Sequence, residues 1–258
     1  MNLTALPAFT DNYIWMLDDG QQALVVDPGD ATPVRDALQR MGLTLTAILV
    51  THRHADHVGG ISSLQNGQIP VYGPLSKAIP QITNIVSDGN HINWASKVFQ
   101  VLGTPGHTDE HLSYFWQGQT NPVNEAPLIF VGDTLFSAGC GRVFDGRLDQ
   151  LYNSLKRISA LPDATRVCAA HEYTIGNLSF AQTVEPLNPE VAQALQRCIA
   201  LRGESRPTLP SSIARERLIN PFLRCTQPAV LASVHAHGCK DTRPEAVFEA
   251  LRTWKNNF

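Results

Sequence analysis

The residues Thr51-His52-Arg53-His54-Ala55-Asp56-His57 follow directly on the apolar run TAILV (46–50). On an extended strand exit, His52 and His54 point the same way, because side chains alternate with a period of two. On a helix, residues two apart diverge by about 200°, so this spacing belongs on a strand exit or loop. His52 and His54 are therefore placed to share one ion. Gly59-Gly60 let the backbone turn tightly into a following helix, which bends Asp56 and His57 back toward a second ion. Solvation alone is a poor reason for four ligand-type side chains between positions 52 and 57, directly after a buried strand. Imidazole and carboxylate donors suit Zn, Fe and Mn without any thiolate.

Three further donors each follow a strand-like run. His107 lies in TPGHTDEH after VFQVL, Asp133 in VGDTLF after LIFV, and His171 in AAHEYT after RVCAA. Loops leaving successive strands at one end of a sheet converge, so these donors are expected to join the first cluster. The total is five His and two Asp. With one bridging Asp, that serves two ions with about four protein ligands each.

The chain around this constellation reads as globular. Its 258 residues suggest one large domain or two small ones, at roughly 100–200 residues per domain. Hydrophobic residues make up 43 %, enough for a core, and only 17 % are charged, which excludes a disordered polyelectrolyte. The formal charge of −3 argues against a nucleic-acid binder. No apolar run approaches the roughly 20 residues needed to cross a bilayer. The start, MNLTALPAFTDNYIWML, has no Lys or Arg before its apolar residues, so no secretory signal is expected. Five widely spaced cysteines without C-x-x-C fit a reducing cytoplasm rather than a disulfide framework.

Short runs rich in Val, Ile and aromatic residues predict strands at 13–17, 23–27, 46–50, 98–102, 112–116, 128–132 and 166–170. Helical patterns cover 33–41 and 148–158. Beyond about residue 172 the period becomes helical, through Val191, Ala194, Leu195, Cys198 and Leu201, and then Val247, Phe248, Leu251 and Trp254. The expected organisation is a mixed α/β catalytic domain over 1–172 and a smaller, mostly helical domain over 173–258.

The ordered set H-x-H-x-D-H, T-P-G-H-T, G-D-T-L-F and H-E-Y-T resembles the metallo-β-lactamase superfamily. More narrowly, the chain is similar to the hydroxyacylglutathione hydrolase (glyoxalase II) family. That likeness rests on FTDNYIW (9–15), VVDPGD (25–30), GDTLFSAGCGR (132–142), HEYT (171–174), INPFLR (219–224) and LRTWKNNF (251–258), which span nearly the whole chain. The resemblance implies an αββα sandwich of two mixed sheets with outer helices, followed by a helical substrate-binding domain. It assigns His52, His54 and His107 to one metal, Asp56, His57 and His171 to the other, and Asp133 to the bridge. Two divalent ions are implied, zinc first, with iron or manganese as alternatives.

The resemblance further implies hydrolysis of S-D-lactoylglutathione to D-lactate and glutathione by a metal-bridging hydroxide, the second step of methylglyoxal detoxification. Asp56 and Asp133 are its catalytic carboxylates. The thiolate leaving group needs little protonation help, since thiols are far more acidic than alcohols. Arg142, Phe144, Tyr173, Arg252 and Lys255 are placed at the glutathione moiety. Arg252 and Lys255 lie three apart on the last predicted helix, hence on one face, expected near solvent. Position 142 is Arg where many relatives carry Lys, and position 144 is Phe where some carry Tyr, which removes a hydroxyl donor. A small-molecule glutathione thioester is thus the expected partner, with no nucleic acid or membrane, for a cytoplasmic monomer.

Three weaker readings accompany these. Asp27 either orients a ligand His or makes a turn, His111 belongs to the core, and Cys140 is a small turn residue rather than a nucleophile. The principal rival function is an iron-dependent persulfide dioxygenase, which typically lacks the C-terminal helical domain. Other hydrolases of the same fold are further alternatives.

Overall fold

The computed structural model describes residues 1–65, 67–119 and 125–258. They form two compact units that interleave along the chain. The first comprises Met1–Thr104, Glu110–Gly132 and Cys168–His171, and the second Pro105–Asp109, Asp133–Val167 and Glu172–Phe258.

The first unit starts with a sheet of six strands in chain order: β1 (Asn2–Ala8), β2 (Asn12–Asp18), β3 (Gln22–Val26), β4 (Thr44–Leu49), β5 (Val71–Gly73) and β6 (Asn84–Ile85). β1, β2 and β3 pair antiparallel, and β3 through β6 pair parallel. The parallel step from β3 to β4 requires a crossover, supplied by α1 (Ala31–Met41). Asp30 caps this helix by accepting from the Thr32 amide at 2.8 Å. Gly42 closes it in the left-handed region, at φ 66°. Two short helices, α2 (Ala55–Val58) and α3 (Ile61–Leu64), follow β4.

All seven residues of β2 are buried, so both faces of this sheet are covered. Ile14 and Met16 join Val34 and Ala37 of α1 and Ile61 of α3 in one core. The opposite face meets a second sheet. Its strands are β7 (His91–Trp94), β8 (Lys97–Gly103), β9 (Leu112–Trp116) and β10 (Leu128–Gly132), in the order β10-β9-β8-β7; β13 (Arg166–Ala169) pairs by its first two residues with β14 (Ser211–Ser212) of the second unit's chain segment. The Trp15 indole donates to the Ala169 carbonyl at 2.8 Å, and the Tyr114 hydroxyl to the Val50 carbonyl at 2.5 Å. Helix, sheet, sheet agrees with the sandwich that the family resemblance implies, and each strand predicted from the sequence is present.

In the second unit, the hairpin of β11 (Leu135–Phe136) and β12 (Gly139–Cys140) precedes α4 (Leu148–Ser159). The remaining helices are α5 (Thr174–Val184), α6 (Pro189–Gly203), α7 (Ile213–Ile219), α8 (Pro228–Ala236) and α9 (Pro244–Asn256). Leu178 and Ala181 of α5 pack with Val191, Ala194 and Cys198 of α6. Phe180, Phe222 and Phe248 add a run of ring contacts at 5.8–6.1 Å. Among the described residues, no helix is long and apolar enough to cross a membrane.

Candidate metal centre

In the first unit four donors lie in the loop and short helix that follow β4, and His171 follows β13. His52 and His54 converge as the period-two argument requires, with His52 Nε2 3.0 Å from His54 Nδ1. One turn further, His57 Nε2 lies 3.5 Å from Asp56 Oδ2, and His171 Nε2 lies 3.5 Å from the same oxygen. These last separations are long for hydrogen bonds. They match the edge of a tetrahedron of ligands around an ion with bonds of about 2.0–2.1 Å, roughly 3.3–3.5 Å. One ligand atom from each of Asp56, His57 and His171 lies within 4.8 Å of the others. In the second unit His107 Nε2 stands 3.4 Å from Asp133 Oδ2, again at that edge length. The donor chemistry and spacing therefore fit divalent ions.

Four of the imidazoles, those of His57, His171, His107 and His52, are turned by a partner on the other nitrogen. Asp27 Oδ2 faces His57 Nδ1 at 3.0 Å, and the same carboxylate accepts from the Thr51 amide at 2.7 Å and the Thr51 hydroxyl at 2.6 Å. Asp27 is thus placed to orient His57 and Thr51 rather than only to make a turn. Asp11 Oδ1 faces His171 Nδ1 at 2.7 Å. The Arg142 carbonyl takes His107 Nδ1 at 2.8 Å, and Thr51 Oγ1 lies 3.0 Å from His52 Nδ1. A proton held on Nδ1 by an acceptor leaves the Nε2 lone pair for a metal. Asp56 accepts from the Asn12 amide at 2.9 Å. The neighbouring His57 is the main cause that holds its carboxyl far below the usual range.

Two close approaches make this loop possible. A Cβ on Gly29 would sit 1.8 Å from the Asp56 carbonyl oxygen, and one on Gly60 would sit 2.6 Å from the Ala31 amide nitrogen. Only glycine lets the VVDPGD turn lie against the ligand loop. Asp11 and Asn12, which orient His171 and Asp56, had no role in the sequence reading. Their signal was FTDNYIW, a family mark without an assigned function.

His111 is buried, its Nδ1 3.0 Å from the Thr104 hydroxyl and its ring stacked on His52 at 4.9 Å. It is a core residue that backs a ligand. Cys140 is buried, and that burial pushes its thiol up, as expected for an unreactive turn cysteine.

The residues expected at the glutathione moiety all lie in the second unit. Arg142 is exposed, and the exposed Phe144 ring meets His107 edge-on at 5.2 Å. Tyr173 opens α5, its ring against Phe136 at 5.2 Å. Lys255 is half-buried, its ammonium 3.2 Å from the Gly176 carbonyl and over the rings of Phe180 and Phe258. Burial first, then the charges of Arg252 and Arg142, lower its ammonium from the ordinary lysine value. Arg252 corrects the expectation of a solvated face. It is only 4 % exposed, donates to the Cys140 carbonyl at 2.9 Å, and lies over the Phe222 ring. The three-residue spacing placed it beside Lys255, but the helix turns it onto the β11–β12 hairpin.

Residues 8–171 match the family model of the metallo-β-lactamase superfamily, and residues 172–258 match the hydroxyacylglutathione hydrolase C-terminus. Among curated proteins, the chain is 50 % identical over 259 residues to a hydroxyacylglutathione hydrolase of Albidiferax ferrireducens. It is 47 % identical over 261 residues to that of Chromohalobacter salexigens. Both alignments cover all of both chains. Among solved structures, it resembles ETHE1 from Myxococcus xanthus, with TM-score 0.64, 27 % identity, and coverage of 99 % of this chain and 98 % of that one. The BLEG-1 B3 metallo-beta-lactamase shares the fold, with TM-score 0.63, 23 % identity, and coverage of 86 % and 99 %. The chain belongs to the hydroxyacylglutathione hydrolase family of the metallo-β-lactamase superfamily. Its His and Asp donors are those of a binuclear divalent-metal site, of a kind that Zn, Fe or Mn occupies.

Proposed function

We infer that the chain hydrolyses 2-hydroxyacyl thioesters of glutathione, S-D-lactoylglutathione foremost, releasing D-lactate and glutathione. This is the second step of methylglyoxal detoxification. The observation that carries the reading is the pairing of two features: donors spaced for ions, and a C-terminal segment of this family over residues 172–258. The same segment favours this reading over the dioxygenase one.

His52, His54 and His107 are assigned to one ion, Asp56, His57 and His171 to the other, and Asp133 to both. Bound there, two divalent ions supply Lewis acidity, which acidifies a water and takes up charge on the thioester carbonyl. The chain's own groups do the rest. Asp27, Asp11 and the Arg142 carbonyl hold Nδ1 protons on His57, His171 and His107, so that each Nε2 faces inward as a lone pair. Asp56, steadied by the Asn12 amide, orients the attacking water. Arg142 and Lys255 draw the two glutathione carboxylates, Arg252 braces their pocket, and Tyr173 and Phe144 supply ring surface. The leaving thiolate departs without a general acid.

We keep the division into a catalytic part, 1–172, and a substrate-binding part, 173–258, and expect a cytoplasmic monomer with zinc as the resident metal. The test is hydrolysis over a panel of glutathione thioesters, with elemental analysis of the same preparation. Lactoylglutathione turnover that tracks close to two metal equivalents is expected. Full turnover in verified metal-free protein overturns the reading.

A further inference from the structure

The hairpin Leu135–Cys140 runs between Asp133 and Arg142, and a buried carboxylate some eighty positions away holds its tip. Glu216, on α7, is fully buried. Its Oε1 accepts from the Ser137 hydroxyl at 2.9 Å and from the Ser211 hydroxyl. Its Oε2 accepts from the Ala138 amide at 2.8 Å and the Asn220 side-chain amide at 3.1 Å. All four partners are donors, so the site calls for an acceptor at both oxygens. Asn220, one turn further, donates from the same Nδ2 to the Gly139 carbonyl at 2.9 Å and the Phe136 carbonyl at 3.2 Å. Together they clamp residues 136–139. Ala138 there adopts φ 56°, a conformation an L residue keeps only when its surroundings impose it.

Three candidate substrate groups hang from this hairpin. The Phe136 ring supports Tyr173, the Cys140 carbonyl receives Arg252, and Arg142 lies two residues beyond. The metal donors meet it at one point, where the Arg142 carbonyl takes His107 Nδ1 at 2.8 Å. Asp133 follows β10, before the hairpin, and the loop carrying His107 has a second hold in the Ser154 hydroxyl on the Pro105 carbonyl at 2.7 Å.

We propose that Glu216, acting with Asn220, is a positioning residue of the glutathione pocket: it fixes the hairpin tip and, through it, Tyr173, Arg252 and Arg142. The proposal rests on the glutathione-thioester reading above. It also gives a physical reason for two sequence marks that had none, GDTLFSAGCGR and the Asn of INPFLR.

The test is a KM-against-kcat split for S-D-lactoylglutathione in Glu216→Ala, Glu216→Gln and Ser137→Ala, with metal content and Tm measured alongside. Glu216→Ala strands the Ala138 amide and should raise KM about tenfold, with smaller changes in kcat and metal content, since Arg142 meets His107 only through its carbonyl. Glu216→Gln should rescue most of that loss. Its amide oxygen can serve Ala138 and Asn220, while its NH2 faces two serine hydroxyls able to accept. Ser137→Ala removes one bond to the carboxylate and should raise KM roughly threefold, which decides the matter if Glu216→Ala does not fold. An unchanged KM in folded Glu216→Ala or in Ser137→Ala overturns the proposal. So does a loss confined to kcat and metal content, or an equal loss in the Gln variant. Wild-type protein that fails to turn over lactoylglutathione instead overturns the functional reading, a separate outcome.

Discussion

The two sets of functional side chains are built in different ways. The first unit takes four metal donors from positions 52–57 and aims the ring nitrogens with side-chain carboxylates and a hydroxyl: Asp27, Asp11 and Thr51. The second unit gathers its candidate substrate residues from positions as far apart as 142 and 255. It holds them largely with backbone carbonyls and ring faces: Cys140 O and the Phe222 ring for Arg252, Gly176 O and two rings for Lys255. Carboxylates suit the first task because they fix a tautomer and raise ligand basicity. Neutral carbonyls suit the second, because they hold a cation in place without cancelling the charge that a substrate carboxylate needs.

If the two sets are independent, removing the metals should abolish one function and spare the other. Chelated protein should lose thioester hydrolysis by about three orders of magnitude or more. It should still bind glutathione, within roughly twofold of the loaded protein, because Lys255 and Arg252 rest on carbonyls and rings rather than on metal donors. Calorimetric titration of glutathione into both forms measures this. Loss of glutathione binding along with the metal would break the comparison.

Within the metal set, effects should follow the number of ions each residue serves. Asp133→Ala should reduce kcat more than loss of any non-bridging ligand, since a bridge serves both ions. Asp11→Ala and Asp27→Ala remove only an orienting contact and should each cost about 10–100-fold in activity or metal affinity. Asp27→Ala should be the worse of the two, because Asp27 also holds Thr51, which faces His52. Metal analysis and kcat for the three variants check the order. An Asp11→Ala enzyme with normal kcat and metal content would remove Asp11 from the site.

What was legible in the sequence divides along the same line. The metal loop was readable because its logic is local: period-two alternation after an apolar strand, then two glycines. First-unit strands such as β2 were readable because they are buried on both faces and so form continuous apolar runs, whereas β1, β5, β6 and β7, shorter or only partly buried, were not predicted. The helical character of the C-terminal part was readable in α6 and α9, whose one-sided burial leaves a period. α5 was not, because its buried positions include Thr174 and Asn177 among Leu178, Phe180, Ala181 and Val184, which leaves no clean stripe. α7 is too short to show one. The orienting pair Asp11 and His171, and the clamp of Glu216 on Ala138, join residues about 160 and 80 positions apart, a pairing that no local pattern encodes. Arg252 was placed on the right helix and beside the right neighbour, but its burial depends on the hairpin that meets it.

Arg252 and Lys255 give the smallest and sharpest test. Arg252 is buried on a carbonyl and a ring, so Arg252→Ala leaves a cavity and should lower Tm as well as raise KM. Lys255→Ala should raise KM by a factor of about two to five and leave Tm nearly unchanged, since a half-exposed pair contributes modestly. Only the Lys255 effect should shrink as salt rises. It should also depend on pH. Burial lowers the Lys255 ammonium, so it loses its proton at a lower pH than an ordinary lysine. The charged form attracts the glutathione carboxylate. KM should therefore be low while the ammonium is intact and rise as pH climbs through the lowered value, before ordinary lysines titrate. Lys255→Arg, whose guanidinium keeps its charge throughout, should flatten that rise. A KM that climbs identically with pH in the wild type and in Lys255→Arg would take Lys255 out of the glutathione pocket.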